Sequence, residues 1–532
     1  MKTFLRKKLF LILCLASLIY TLPAYNKYWA PLDEGIIAVA AQRLLAGELP
    51  YRDFFILMYP PGQIYVLALL FKIFSFSLIA GRVYTVFVSV GISMLAFYMA
   101  LLLTGRLGVS VFSWLVVLVS LVPRLGAIPA PIWPGVLLSL LAIYVYMRYL
   151  AGLSYSHVAV VGFVSGTAIL FRHDIGIFAA FSVFSSIFVG LFYNKRAARD
   201  MVFFITGVSI VILPCVVYFV MKSASGDMID ALIYFPFIHL KTAGLPFPKP
   251  CLDLNMIFHG SLQFININQY YIPILVYVFI FAYLLKAFVR RRLSDSGNMM
   301  VLPILLFGVL SFNQARIRTD PAHLLTVMQP AVILFGFIMH KALCGKSRRP
   351  AEAASVYIFS AVLLLLFALL SIKNIDKYFK NNFRKVWKKD IVKADFRAGS
   401  IYVPKEEIGD VMSTLDFINT HTNPGERIYI GNVAHWKDDF GGSTILYFLA
   451  DRLPSTKYYE FVPGVMTNPD VQREIKDSLV DKGVNLLVLQ DIDLGGLRRE
   501  DAPEDKLILD DFIQENFERV KKFGKYNIYT KK

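Results

Sequence analysis

From Leu9 to about Ile372 the chain is an almost unbroken succession of apolar runs separated by short polar loops. A helix needs about 20 apolar residues to cross ~30 Å of hydrocarbon, and most of these runs approach that length. The composition agrees. Of 532 residues 56% are hydrophobic and 17% charged, where a soluble chain would carry about 25% charge. The bilayer is therefore the main solvent. The 160 or so residues after the last run are polar, mixed and globular in character. The expected plan is an all-α polytopic membrane domain over residues 1–373 followed by a small soluble α/β domain over 374–532.

The formal net charge is +17, yet the cations form no single stripe of the kind that binds nucleic acid. Arg106, Arg148, the Lys195/Arg196/Arg199 group, the Arg290–Arg292 triplet and the cations from Lys341 to Arg349 stand in alternate short loops. That alternation is the positive-inside pattern of a multi-pass plasma (inner) membrane protein. The basic first residues and the apolar run behind them read as an uncleaved first helix with a cytoplasmic N-terminus, a signal peptide being the alternative. Later spans are expected near 82–103, 108–122, 132–148, 156–171, 175–193, 200–220, 269–289, 299–312, 321–343 and 353–373. Residues 63–81 are apolar enough to cross but would invert every later loop, so they are read as an interfacial or re-entrant helix. The count is then eleven, or 12 to 13 if that segment crosses. Cys14, Cys215, Cys251 and Cys344 show neither disulfide-framework nor metal-ligand spacing.

With the topology set by basic loops alone, the carboxylates sort themselves. Asp33, Glu34, Glu48, Asp53, Asp174, Asp227, Asp230, Asp253 and Asp320 fall outside, while Asp200, Asp295 and Glu352 fall inside. The soluble C-terminal domain also falls outside. Polar chemistry gathers on the outer face.

The richest segment is LDEGIIAVAAQRLLAGELPYRDFFILMYPPGQIYVLALLFKIF, residues 32–74. An acidic pair, Asp33 and Glu34, opens a run in which Ile36, Ile37, Ala40, Leu44 and Leu45 recur at helical spacing. This predicts an amphipathic helix lying on the membrane. On the residues alone, Asp33 is as well explained as the N-cap of that helix as by any chemistry.

The order of acidic pair, AAQRLLAGELPYRDFF, Pro-Pro-Gly turn and apolar stretch resembles the GT-C glycosyltransferases. It is most similar to the large bacterial group that resembles the lipopolysaccharide-core galacturonosyltransferases. Aminoarabinose transferases of lipid A and protein O-mannosyltransferases are more distant. The close match covers about residues 30–110, with a looser one through the membrane part. The resemblance implies an inverting transferase that takes a sugar from a polyprenyl-phosphate donor on the outer face, the first-loop aspartate acting as general base. That position is Asp33 here, with Glu34 beside it as a second catalytic carboxylate. The chemistry is consistent: an attacking hydroxyl must lose a proton to a carboxylate within reach, and a phosphate leaving group needs cations more than a general acid. Many relatives carry a lysine before the Pro-Pro turn, where this chain has Tyr59. The donor phosphate must then be held by other cations.

Arg172, with His173 and Asp174, stands at the outer end of a span and is a candidate for the donor phosphate. His173, Asp174, His323 and Tyr59 are expected to line the substrate cavity, snorkelling of the Arg–Asp pair to the interface being the alternative. Arg316 and Arg318 precede Asp320 and His323 at the entry of another span. Asp320 before Pro321 suits an N-cap, whereas the two arginines are expected to clamp phosphate, unless the loop is simply solvated. Arg52 is a further candidate that Asp53 would neutralise. The Pro-rich, aromatic loop 222–268, with His239, Lys241, Lys249 and His259, is long enough to be a lid or to receive an acceptor.

Nothing in the chain has metal-ligand spacing, although use of a divalent cation is left open. In the C-terminal part, PGERIYIGN, STILYFLADRLPS, PDVQREIKDSLVDKG and VNLLVLQD read as strand, helix, helix and strand of a partly parallel sheet. The acceptor is open among glycolipid, polysaccharide and protein. A lipid-linked sugar flippase, or a catalytically silent scaffold of the same fold, is the competing reading. The absence of a visible repeat and the one-sided charges count against a transporter.

Overall fold

The computed structural model describes the chain apart from residues 1, 57–58, 122–127, 153, 155, 239–243, 252, 254, 257–260, 345–349, 439–440 and 463. His239, Lys241 and His259 of the outer loop, and Arg348 and Arg349 of the last basic loop, lie outside the described residues. The membrane part comprises α1 (Lys2–Thr21), α2 (Asp33–Leu45), α3 (Gly62–Phe74), α4 (Leu78–Thr104), α5 (Leu107–Leu121), α6 (Ile132–Leu150), α7 (Ser156–Phe171), α8 (His173–Gly190) and α9 (Arg196–Met221). After the outer loop come α10 (Tyr271–Val289), α11 (Ser296–Ser311), α12 (Asn313–Ile317), α13 (Pro321–Thr326), α14 (Gln329–Cys344) and α15 (Pro350–Phe379).

Among the described residues seven helices are long and apolar enough to cross a membrane: Leu78–Thr104, Ile132–Leu150, His173–Gly190, Arg196–Met221, Tyr271–Val289, Ser296–Ile317 and Ala354–Trp387. Five shorter apolar helices, Lys8–Ala24, Gly62–Phe74, Leu107–Leu121, His157–Phe171 and Gln329–Cys344, lie at other apolar runs of the sequence. The chain is a multi-pass membrane protein.

Two expected spans differ in detail. The run expected over 63–81 ends at Phe74, and Ser77 caps a new helix that starts at Leu78, before the expected 82. The run expected over 321–343 is split, α13 stopping at Thr326 and α14 starting at Gln329. Pro330 explains the break, because its ring would collide with the carbonyl four residues back, that of Thr326, and it has no N–H to donate there. Helices pack closely where side chains vanish. A Cβ on Gly162 would lie 2.1 Å from the Phe204 carbonyl oxygen of α9, and one on Gly207 would lie 2.1 Å from that of Ala159 on α7. Such small-residue contacts are the usual means of close approach between membrane helices.

Past the expected boundary at 373 the last helix runs on to Trp387 through a π turn, Lys380–Arg384. The C-terminal domain then contains a hairpin of β1 (Ile391–Phe396) and β2 (Gly399–Pro404), helix α16 (Lys405–His421), β3 (Arg427–Asn432), α17 (Ile445–Ala450), β4 (Leu453–Pro454), α18 (Pro469–Asp481), β5 (Leu486–Gln490), α19 (Ile508–Asn516), β6 (Phe517–Phe523) and β7 (Tyr526–Lys531). The five-stranded sheet has the order β4-β3-β5-β7-β6. Strand β3 is parallel to β4 and β5, and the other pairs are antiparallel. The strand–helix–strand pattern of the sequence is realised as a mixed sheet.

Helix α2 overturns an expectation. It does not lie on a membrane surface: Ile37, Ala38, Val39, Ala40 and Ala41 are all at most 2% exposed. They belong to a hydrophobic core shared by α2, α3 and the C-terminal domain. Small residues permit it, since a Cβ on Gly35 would fall 2.2 Å from the Ile445 backbone nitrogen. Arg43, which an amphipathic helix would have turned to water, is 1% exposed and donates to the carbonyls of Thr456 and Asp53 at 2.7 and 2.9 Å while pairing with Glu48. The Gly35 contact is backbone against backbone and has no flexible side chain to yield. Gly35→Ala is therefore expected to cost about 1–3 kcal/mol of stability, read as a lower thermal midpoint in detergent, whereas Gly47→Ala, with open space around it, tests only the strain of its positive φ.

Candidate active site

The backbone before Asp33 is held from the far end of the chain. Thr444 Oγ1 donates to the carbonyls of Pro31 and Leu32, each at 3.2 Å, and the Ile445 N–H donates to Pro31 at 3.0 Å. Asp33 is the first residue of α2, and the N-cap position belongs to Leu32 with no side-chain cap bond. The capping alternative for Asp33 is thus not realised. Its neighbour Glu34 is turned the other way. Glu34 is 0% exposed and forms a two-pronged ion pair with Arg82 at the start of α4, Nε to Oε1 at 2.7 Å and Nη2 to Oε2 at 2.5 Å. Arg82 also donates to the Tyr28 and Tyr25 carbonyls at 2.8 and 3.3 Å. Glu34, expected to be catalytic beside the base, is instead a buried anchor of the loop, its carboxylate spent on Arg82.

The Asp33 side chain is open to solvent yet stands in a recess. Loss of surrounding water raises its pKa above the usual carboxylate value, while the charges of Arg318 and His323 pull the other way. Those two residues stand at the join between α12 and α13. Arg318, with extended backbone, ends α12, and its guanidinium lies 3.3 Å from Asp320. Asp320 caps α13 as expected, accepting the N–H groups of Ala322 and His323 at 2.8 and 3.0 Å, and its other oxygen contacts His323 Nδ1 at 2.8 Å. Its partial burial works against ionisation, but these bonds and Arg318 hold its carboxyl down to about 2. The described part of the loop 222–268 supports the same turn: Leu245 donates its N–H to Ile317 at 3.1 Å, and Thr319 Oγ1 donates to Leu245 at 3.3 Å.

A second cluster adjoins. The Pro-Pro-Gly turn brings α3 against α7 so tightly that a Cβ on Gly62 would lie 2.6 Å from the Leu170 carbonyl oxygen. Tyr59 thereby meets Arg172, whose guanidinium carbon is 5.7 Å from its ring centroid. Arg172 pairs with Asp174 at 2.9 Å, and Gln314 of α12 donates to Asp174 at 2.6 Å. Arg172 does not snorkel: it faces inward. Burial pushes the Tyr59 phenol up to about 12, Arg172 opposing and Asp33, Glu460 and Asp174 adding to the shift. Tyr59 is thus a neutral hydrogen-bond donor at any working pH. Its electrostatic coupling to Asp33 on one side and Asp174 on the other makes one site of the two clusters. His173 adjoins them, its Nδ1 buried without a hydrogen-bond partner among the described residues.

Two expected phosphate contacts are held elsewhere. Arg316 is exposed and spends Nε and Nη2 on Asn313 Oδ1 at 3.0 and 2.8 Å. Arg52 is exposed, forks onto Asp53 at 2.8 and 2.9 Å and donates to the Lys222 carbonyl at 3.2 Å. Four residues of the site were missed in the sequence: Arg82, Gln314, Thr444 and Glu460. The last two lie in the C-terminal domain, and no local pattern ties them to Asp33. Arg82 carried a signal, being an arginine one turn into an apolar span that needed an acidic partner. Among the described residues no group of three or more His, Cys, Asp or Glu side chains is placed to hold a metal ion.

A bundle of membrane helices with a small C-terminal α/β domain packed on the loop before α2 is a GT-C-type fold. No protein-family model and no curated protein sequence matches the chain. Among solved structures it is similar to ArnT from Cupriavidus metallidurans bound to undecaprenyl phosphate, with TM-score 0.53 and 12% identity over 98% of this chain and 97% of that one. The apo state of the same protein gives 0.50 and 13% over 99% and 98%. The oligosaccharyltransferase of Archaeoglobus fulgidus in complex with Zn and sulfate gives 0.53 and 11% over 90% of this chain and 67% of that one. At these identities the likeness is one of fold.

Proposed function

We propose that this chain is an inverting glycosyltransferase of the plasma membrane that moves a sugar from a polyprenyl-phosphate carrier to an envelope acceptor on the extracytoplasmic face. The acceptor is a glycolipid, polysaccharide or protein. The observation that carries this reading is the Asp33 carboxylate at the head of α2, exposed, making no cap bond and lying within the fields of Arg318 and His323. The fold supports it, since one of the similar structures holds undecaprenyl phosphate.

In the reaction the acceptor hydroxyl attacks the anomeric carbon and its proton passes to Asp33. The carbon–oxygen bond to phosphate breaks with its electron pair going to the phosphate oxygen. Arg318 stabilises the charge arriving there, and Arg172, paired with Asp174, adds to it. Tyr59, in the place of the relatives' lysine, donates a hydrogen bond to the same group. The alternating basic loops support an N-terminus in the cytoplasm and a C-terminal domain outside.

Mass spectrometry of envelope glycans and glycolipids from cells with and without the gene should find one sugar increment missing. Identical profiles, together with no transfer by the purified protein supplied with polyprenyl-phosphate sugars, would sink the proposal. Arg318→Gln should lower kcat by about 10²-fold, while Arg52→Gln and Arg316→Gln stay within about twofold because their partners hold them away from Asp33. Equal losses in all three would remove Arg318 from its assigned role.

A further inference from the structure

The last membrane helix does not stop where its apolar run stops. Beyond Ile372 it carries Lys373, Lys377, Lys380, Arg384, Lys385, Lys388 and Lys389 against Asp376 and Asp390. Two observations place the level of the membrane boundary. Lys373 Nζ donates to Gln269 Oε1 at 2.8 Å, just before α10 begins, and the Tyr378 ring stacks on Tyr20 at 4.3 Å, at the end of α1. Three helices thus leave the hydrocarbon near residues 373–378, and the turns from Phe379 to Trp387 stand immediately above it. At 1.5 Å per residue those turns rise about 12 Å, less with tilt, a height comparable to the polar headgroup layer.

One stripe of this extension is uncovered. Phe379, Phe383 and Trp387 are 54%, 45% and 89% exposed. They alternate with Lys380, Arg384 and Lys388 along a groove of about 470 Å³. The same three cations, with Lys385, line an adjoining depression of about 240 Å³. Asp390 borders that depression, but no carboxylate pairs with any of the four cations among the described residues. Four like charges within two turns repel one another, and a tryptophan left almost bare in water is costly. Both conditions are relieved by one kind of neighbour: aromatic rings settle at the headgroup level, and clustered lysines and arginines take up anionic phosphates there. The charges also run against orientation, since a domain outside the membrane would normally have few cations beside its last span.

We propose that this stripe is a binding site for the headgroup of an anionic phospholipid, with Lys380, Arg384 and Lys388 on the phosphate and Phe379, Phe383 and Trp387 against the glycerol and upper chains. Which leaflet supplies it rests on the outward orientation proposed above; the binding does not. The site is coupled to the first outer loop through the hairpin that follows. Lys405 donates to the Asp390 carbonyl at 3.0 Å, Tyr402 to Asn26 at 2.8 Å, and Leu78 at the head of α4 to Ala398 at 3.0 Å.

The test uses the whole purified protein, delipidated in neutral detergent and titrated with phosphatidylglycerol or phosphatidylcholine, with bound lipid counted by native mass spectrometry. Phosphatidylglycerol should be retained preferentially, and raising salt from about 0.05 to 0.5 M should strip it. Lys380→Gln, Arg384→Gln and Lys388→Gln together should weaken its binding at least about tenfold. Equal retention of phosphatidylcholine, or unchanged binding in the triple variant, overturns the proposal. So does retention confined to a phosphorylated glycolipid, which would make the stripe a glycolipid site instead. Should the variant fail to fold, the salt series on the parent protein decides, and salt-independent retention overturns the assignment. Sugar transfer does not enter these measurements, so failure here leaves the proposed activity standing.

Discussion

Asp33→Asn leaves the protein folded and inserted but lowers sugar transfer by about 10² to 10⁴-fold, the range lost with a general base. Folding should survive because the Asp33 side chain makes no cap bond and lies open to solvent. An asparagine of equal size keeps the contacts that Thr444 and Ile445 make, since on this side they use only the Pro31 and Leu32 carbonyls and not the Asp33 side chain. The measurement is single-turnover transfer by purified protein beside its thermal midpoint. Full activity in the variant would end the role given to Asp33, whereas a lost midpoint would make the residue structural. The pH profile supplies a second readout. A base acts when ionised, so a raised pKa moves the acid-side fall in kcat/KM upward, to above the ~4 of an ordinary aspartate. Because Arg318 pulls that pKa down, the residual activity of Arg318→Gln should fall off at a still higher pH.

Arg82→Ala is expected to be the most destabilising single change near the site, at about 3–5 kcal/mol, because it strands the Glu34 carboxylate without its counter-charge. Both side chains are 0% exposed, so water cannot take the place of the missing guanidinium. The Tyr25 and Tyr28 carbonyls lose a donor as well. Combining Arg82→Met with Glu34→Leu should recover part of the loss, since an apolar pair of similar volume leaves no buried charge. A double variant no more stable than Arg82→Ala would show that the carbonyl contacts, not the ion pair, hold the loop. Glu34 then stands apart from Asp33 in kind: its substitutions should move the thermal midpoint, while those of Asp33 move the rate.

The membrane architecture was legible in the sequence because a helix that spans hydrocarbon announces itself by length and apolarity alone. The C-terminal strands and helices were legible for a similar local reason, β3, α18 and β5 each forming where its own pattern puts it. Asp33, Arg172, Asp174, Arg318 and His323 were singled out because charge beside an apolar span is conspicuous. What the sequence concealed was tertiary. The helix after Asp33 has a surface-like pattern, yet α17 and α3 bury it on both sides, and its polar residues Gln42 and Arg43 find partners more than 400 positions away. Likewise Arg316 and Arg318 are alike as sequence, and a local bond to Asn313 separates them.

The clasp between Thr444 and the backbone before Asp33 has a consequence for the order in which this protein is made. The residues that hold the backbone before the carboxylate stand more than 400 positions later, so during synthesis the loop before α2 emerges without its lock. The recess becomes complete when the final domain has folded and docked. A chain that stops before Thr444, however well inserted in the bilayer, lacks the contacts that fix the backbone before Asp33, and under the proposed function it would transfer no sugar until the final domain had docked.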